Sequence, residues 1–254
     1  MIVDVLSVDF ALLFAIGFFA QLIDGALGMA FGVISTSAML TLGLPPAQAS
    51  AIAHTAEIFT TAASASSHLY YRNVDWRLVI RLGVAGVAGA VLGAWVLSNV
   101  DGQMIRPFVA AYLLAIGVLI LLKAVRPAPQ RDVEFRLAPP LGFAGGFLDA
   151  SGGGGWGPVV TSTLIGSGHA PRVVIGSVNT TEFFVTTAAA TTFFIELGAS
   201  PLYELAALIL GGVIAAPFGG WVVKHIRPRV LMTAVGILVV VLAAWQLARA
   251  VRLV

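Results

Sequence analysis

Apolar stretches long enough to cross a lipid bilayer recur along the whole chain, among them Leu78–Leu97, Pro107–Lys123, Leu202–Val223 and Val230–Ala248. A helix needs about 20 mostly apolar residues to span the hydrocarbon core, and only helices or closed barrels satisfy their backbone groups there. Of the 254 residues, 59% are hydrophobic and only 10% are charged, against about 25% charged in a soluble domain, so no soluble domain is left over. The expected fold is an all-α polytopic membrane protein, with the lipid bilayer as its first partner. The net charge of +2 comes from Lys and Arg in short connections, which reads as orientation information and excludes a nucleic-acid patch. With no cysteine, disulfides, thiolate metal sites and cysteine nucleophiles drop out together. The first ten residues hold Asp4 and Asp9 but no base, so no cleaved signal peptide is expected.

The chain repeats itself. Slid by 125 residues, Gly17–His68 aligns with Gly142–Phe193 without a gap. Asp24 falls on Asp149, Gly28 on Gly153, Gly32 on Gly157, Thr36–Ser37 on Thr161–Ser162, Gly43 on Gly168 and Pro46 on Pro171. Further on, HTAEIF at 54–59 falls on NTTEFF at 179–184, and after one inserted residue GAW at 93–95 falls on GGW at 219–221. Alanine and glycine match by chance in such a composition; Asp, Glu and Pro in one register do not. The reading is an N-terminal transmembrane repeat (1–124), a polar, proline-rich cytoplasmic linker (125–137) and a C-terminal repeat (138–254).

Each repeat reads as a broken segment (9–42 and 138–167) followed by three transmembrane helices, near 47–70, 77–98 and 103–124, then near 171–196, 201–224 and 228–251. Arms of about fourteen residues, 9–22 and 29–42, would each reach roughly 21 Å, past the middle of a 30 Å core but not across it. Loop charge supports a re-entrant hairpin. Tyr70–Arg81 carries Arg72, Arg77 and Arg81, while the equivalent Glu196–Glu204 carries no base; Ser98–Arg106 has one base and Lys224–Arg229 three. Basic loops favour the cytoplasm, so equivalent loops that swap charge favour inverted repeats with both ends outside; the alternative is eight crossings, each broken segment spanning once, with the halves parallel.

Interrupted helices in inverted repeats are how many secondary transporters build a site. In LIDGALGMAFG and FLDASGGGGWGP, Gly25, Gly28 and Gly152, Gly153, Gly154 and Gly155 are expected to unwind the helix and offer backbone N–H groups to an anion. Gly86, Gly89, Gly93, Gly211 and Gly212 read instead as close-packing glycines. No GK[ST] follows the glycine run, so a P-loop is discarded and no cofactor is expected.

The second constellation is a polar stripe at helical spacing, Ser50, His54, Glu57, Thr61, Ser64 and His68, with Asn179, Glu182 and Thr186 repeating its centre. Ionisable residues inside a membrane mark pathways and sites. Thr55, Thr161, Asn179 and Thr180 are candidate substrate contacts; Asp24, His54, Glu57, Asp149 and Glu182 are candidates for coupling or gating. These acids have no Lys or Arg for company, so they need a proton, a pairing with His54, or a coupling cation. His54 and Glu57 also form an HxxE pair, but with one nearby His the ligand set falls short of three, so no metal site is assigned.

Together, DGALGMAFGVISTS (24–37), PPAQASAIAHTAEIFTTAASASSH (45–68), NVDW (73–76), FLDASGGGGWGPVVTSTL (147–164) and PRVVIGSVNTTEFFVT (171–186) resemble the sulfite exporter TauE/SafE family over nearly the whole chain. The resemblance implies a bacterial inner-membrane exporter of a small anion, sulfite or an organosulfonate. The first motif, GALGMAFG, is poorer in glycine than in many members. Two rivals stand beside this reading. An intramembrane aspartyl protease would pair Asp24 with Asp149, but lacks its GxGD signature and leaves Glu57 and Glu182 idle. An anion channel would line an open pore with the same broken helices.

Overall fold

The computed structural model describes residues 2–125, 137–167, 171–218, 225 and 227–252. Most of the 125–137 linker, Gly168 and the GGW at 219–221 lie outside them. The first repeat holds α1 (Ile2–Leu27), α2 (Phe31–Thr41), α3 (Pro46–Tyr70), α4 (Trp76–Ser98) and α5 (Gly102–Val125). The second holds α6 (Ala138–Gly152), a π-helical turn (Gly157–Thr161) running into α7 (Ser162–Gly166), then α8 (Pro171–Leu197), α9 (Leu202–Ala215) and α10 (Pro228–Arg252). No strand occurs among the described residues.

Both expected breaks are present. Helix α1 stops at Gly28 and α6 at Gly153, equivalent positions with φ of +66° and +73°, a left-handed turn that glycine adopts without Cβ strain. The arms are unequal, which the sequence reading did not anticipate. At about 1.5 Å per residue, the 26-residue α1 reaches roughly 39 Å, enough to cross. The 11-residue α2 reaches about 16 Å and cannot cross alone.

Polarity sorts the helices. Four spans among the described residues, in α1, α4, α5 and α10, are long and apolar enough to cross a membrane. Helices α3 and α8 are as long but carry the polar stripes, and they pack against each other at the centre. Apolar side chains such as Phe19, Val84, Phe108, Ile195 and Val241 stay exposed around the rim. Lipid contact makes that distribution favourable, since hydrocarbon accepts apolar side chains and penalises unpaired polar groups.

The packing follows the repeat. Helix α1 lies on α9 as α6 lies on α4, and α3 pairs with its equivalent α8 as α5 does with α10. The glycines read as packing residues sit in these seams. A Cβ on Gly89 would fall 2.2 Å from the Phe143 carbonyl oxygen and one on Gly93 2.5 Å from that of Phe147. A Cβ on Gly142 would meet the Leu82 oxygen at 2.4 Å, and its repeat partner Gly17 would meet the equivalent Leu208 oxygen at 2.5 Å. Contact pairs also fix direction. Along α3 and α8, Ser64 meets Asn179 while Asn73, just past α3, meets Arg172, so the two helices run antiparallel. Along α5 and α10, Gly117 meets Val240 while Leu121 meets Gly236, again antiparallel.

Candidate functional site: a stapled pair of helix breaks

The two breaks lie against each other. A Cβ on Gly154, whose φ is +138°, would fall 2.4 Å from the Val33 nitrogen, and one on Gly157 would fall 2.4 Å from the Met29 Cα. The Thr161 hydroxyl donates to the Gly28 carbonyl at 3.1 Å, tying the second break to the first.

Each break is closed by its aspartate. The Asp24 Oδ1 accepts the N–H groups of Ala30 (2.8 Å) and Phe31 (3.4 Å). The Asp149 Oδ1 accepts those of Gly155 (2.7 Å) and Trp156 (2.9 Å). The carboxylates thus reach across the gap to the start of the next half-helix, where unpaired N–H groups and the helix dipole favour negative charge.

This changes the reading of the glycines. The N–H groups of Gly153 and Gly154 donate to the Asp149 carbonyl, that of Gly28 to the Asp24 carbonyl, and that of Gly155 to the Asp149 carboxylate. They face inward because an unsatisfied donor buried in a membrane protein costs several kcal/mol, roughly. Close approach accounts for the run of four. A Cβ on Gly152 or Gly155 would fall 2.1 Å from the Tyr112 ring or hydroxyl, and one on Gly153 would fall 2.2 Å from the Thr36 methyl. Gly25 lies in the last turn of α1, beside Asp24.

The polar stripe comes to the same place. Ser50, His54, Glu57 and Thr61 are buried; Ser64 and His68 are partly exposed. His54 Nε2 lies 3.2 Å from Asp149 Oδ2, joining α3 of the first repeat to the break of the second. Its Nδ1–H donates to the Ser50 carbonyl at 2.8 Å, and the Ser50 hydroxyl donates to the Ala150 carbonyl at 2.9 Å. Glu57 lies against Gly32, its Oε1 2.9 Å from where a Cβ would be. Buried Oε2 atoms of Glu57 and Glu182 have no hydrogen-bond partner. Among the described residues no Lys or Arg forms an ion pair with any of these four acids.

Other candidates are occupied locally. Thr55 donates to Ala51 O and Thr180 to Gly176 O, while the Asn179 amide donates to Ser64 Oγ at 2.8 Å. Asn179 therefore does not reproduce, toward Asp24, the bond that its equivalent His54 makes to Asp149. Three participants escaped the sequence reading. Tyr112 and Thr36 pack on the glycine run with hydroxyls that have no partner. Lys123 donates to Pro158 O and Ser162 Oγ at the π-helical turn. A polar side chain within the apolar α5 was the available signal for Tyr112 and Lys123.

An all-helical bundle with span-length apolar helices and acids buried around paired helix breaks is a multi-pass membrane protein of transporter type; helices, as against a β-barrel, are the inner-membrane solution. The chain belongs to the sulfite exporter TauE/SafE family, whose model matches residues 13–245. It is 43% identical over 230 residues to the probable membrane transporter protein YtnM of Bacillus subtilis (strain 168), covering 87% of this chain and 77% of that one. It is 26% identical to the probable membrane transporter protein ORF9 of Sinorhizobium sp, over 75% of this chain and 69% of the relative. A probable membrane transporter protein of Haemophilus influenzae is 28% identical over 54% and 56%. No solved structure matches.

Proposed function

We propose that the protein exports a small sulfur oxyanion, sulfite or an organosulfonate, as a secondary transporter in which two inverted repeats rock against each other around the paired breaks. The observation that carries this reading is the antiparallel contact of repeat-equivalent helices, α3 with α8 and α5 with α10. Two halves related in that way interconvert by exchanging roles, which is the geometry of alternating access. Family membership supports the substrate class.

In this reading each aspartate carboxylate stands where the substrate oxyanion binds. It holds the N–H pair at the start of a half-helix, and an incoming oxyanion has the same charge and the same acceptor chemistry. A proton or cation delivered to Asp149 or Asp24 weakens that hold and frees the donors of Gly155 and Trp156, or of Ala30 and Phe31. Gly25, Gly28 and Gly152–Gly155 keep the two breaks unwound and without side chains around those donors, and in the anion-bound state Thr55, Thr161, Asn179 and Thr180 exchange their local hydrogen bonds for contacts to the anion. His54, Glu57 and Glu182 relay or hold the coupling charge. Uptake of labelled sulfite against an organosulfonate into inside-out vesicles tests the reading. Saturable uptake driven uphill by an ion gradient is expected; flux that only follows the electrochemical gradient would leave a channel in its place.

A further inference from the structure

We infer that His54, Glu57 and Asp149 form a binding site for one divalent transition-metal ion of the zinc class, shared between the two repeats. A nitrogen of His54 and a carboxylate oxygen from each acid all lie within 4.8 Å of one another, and all three residues are buried. The HxxE pair of α3 supplies two ligands, and the fold brings the third from the break after α6. At metal–ligand bonds of about 2.0–2.2 Å, neighbouring ligands of a tetrahedral ion stand roughly 3.3–3.6 Å apart. His54 Nε2 and Asp149 Oδ2 already stand at 3.2 Å, and the third ligand atom, from Glu57, lies within 4.8 Å of both partners' ligand atoms.

Three features point to a cation. First, Nδ1 of His54 faces the Ser50 carbonyl at 2.8 Å, and a carbonyl only accepts. The ring proton therefore sits on Nδ1, and the Nε2 lone pair faces a carboxylate oxygen, a repulsive contact unless a positive charge lies between them. Second, a proton there would serve that one pair, whereas the buried Glu57 Oε2 would keep no partner; a divalent ion engages all three groups at once. Third, the supporting hydrogen bonds are those that metal ligands use. The second ring nitrogen donates to a backbone carbonyl, and the other oxygen of Asp149 accepts from Gly155 and Trp156, fixing ligand orientation and tautomer. The Asn179 position offers the equivalent of this site no second imidazole, so the ion has one place and not two.

The inference deepens the coupling part of the export reading and rests on it only for the ion's role. Binding itself is measured without flux. Purified full-length protein in detergent, stripped with a chelator and dialysed against zinc chloride, is expected to retain about one zinc per chain by atomic emission. Cobalt in place of zinc is expected to give visible d–d absorption. Glu57→Gln and His54→Gln are expected to lower zinc affinity at least about tenfold, as loss of even a supporting bond to a metal ligand does, and to remove the cobalt bands; His68→Gln leaves both unchanged. A wild-type chain that retains no zinc, or variants that elute as folded protein with unaltered affinity and spectrum, would overturn the site and leave a shared proton in its place. The wild-type cobalt spectrum decides the matter even where a variant does not fold. Zinc held by a chain that moves no anion would sink the export reading alone; export by a chain that holds no zinc would sink this site alone.

Discussion

Single residues at the breaks are set by what they touch. Gly155 leaves no room for a Cβ because the Tyr112 hydroxyl would lie 2.1 Å away, while the next atom, the Tyr112 Cζ, stands at 3.4 Å. Gly155→Ala should therefore destabilise the protein by about 1–3 kcal/mol, the usual cost of overpacking. Adding Tyr112→Phe removes the colliding oxygen and should restore most of that loss. Thermal unfolding of the two single variants and the double variant in detergent measures it; equal loss in the presence and absence of the hydroxyl would show that Gly155 is needed for another reason. Gly154 should be less forgiving, because its φ of +138° and the Val33 backbone both exclude a side chain. Gly154→Ala is expected to abolish recovery of monodisperse protein, with no rescue from Tyr112→Phe.

Among the elements, the half-helices depend on their aspartates. Asp24→Ala leaves the buried N–H groups of Ala30 and Phe31 without an acceptor, at about 1–3 kcal/mol for each orphaned donor. Asp24→Asn keeps a carbonyl oxygen in place and should cost markedly less, and the same order should hold at Asp149. Melting midpoints of the four variants check this, and alanine variants as stable as the asparagine ones would remove the staple. The breaks themselves could be read in the sequence, since Asp with glycine four residues later, in two registered copies, has few other meanings inside a membrane helix. The destination of the glycine N–H groups could not be read there. An anion and a neighbouring carboxylate are equivalent acceptors to an N–H, and only the fold of the Asp149 side chain back onto Gly155 and Trp156 chose between them.

For the molecule as a whole, the arrangement of the halves makes the sharpest demand. Tyr71, just past α3, and Ala199, just past α8, are exposed positions in corresponding connections of the two halves. Because the chain has no cysteine, single Cys at either position can be labelled in intact cells without background. Inverted repeats require opposite sides; labelling from the same side would make the halves parallel. Glu57→Gln and Glu182→Gln should each slow coupled uptake in proteoliposomes by about a hundredfold, the lower end of what a positioned proton-transfer group contributes, with the pH dependence changed. Unaltered rate and pH profile in both variants would withdraw their coupling role.

Much of this protein is written locally. Apolar runs of bilayer length dictate helices because lipid offers the backbone no other partner. Registered Asp, Gly, Pro and Glu reveal the duplication, and polar residues at helical spacing mark α3 and α8 as interior. What the sequence could not decide depends on approach between distant residues. That α3 meets α8, that Tyr112 fills the space beside the glycine run, and that Asp149 completes the pair begun by His54 and Glu57 are facts about positions far apart in the chain, 95 residues for His54 and Asp149. Spacing along one helix fixes which side chains share a face; only the packing of one repeat on the other fixes what that face meets.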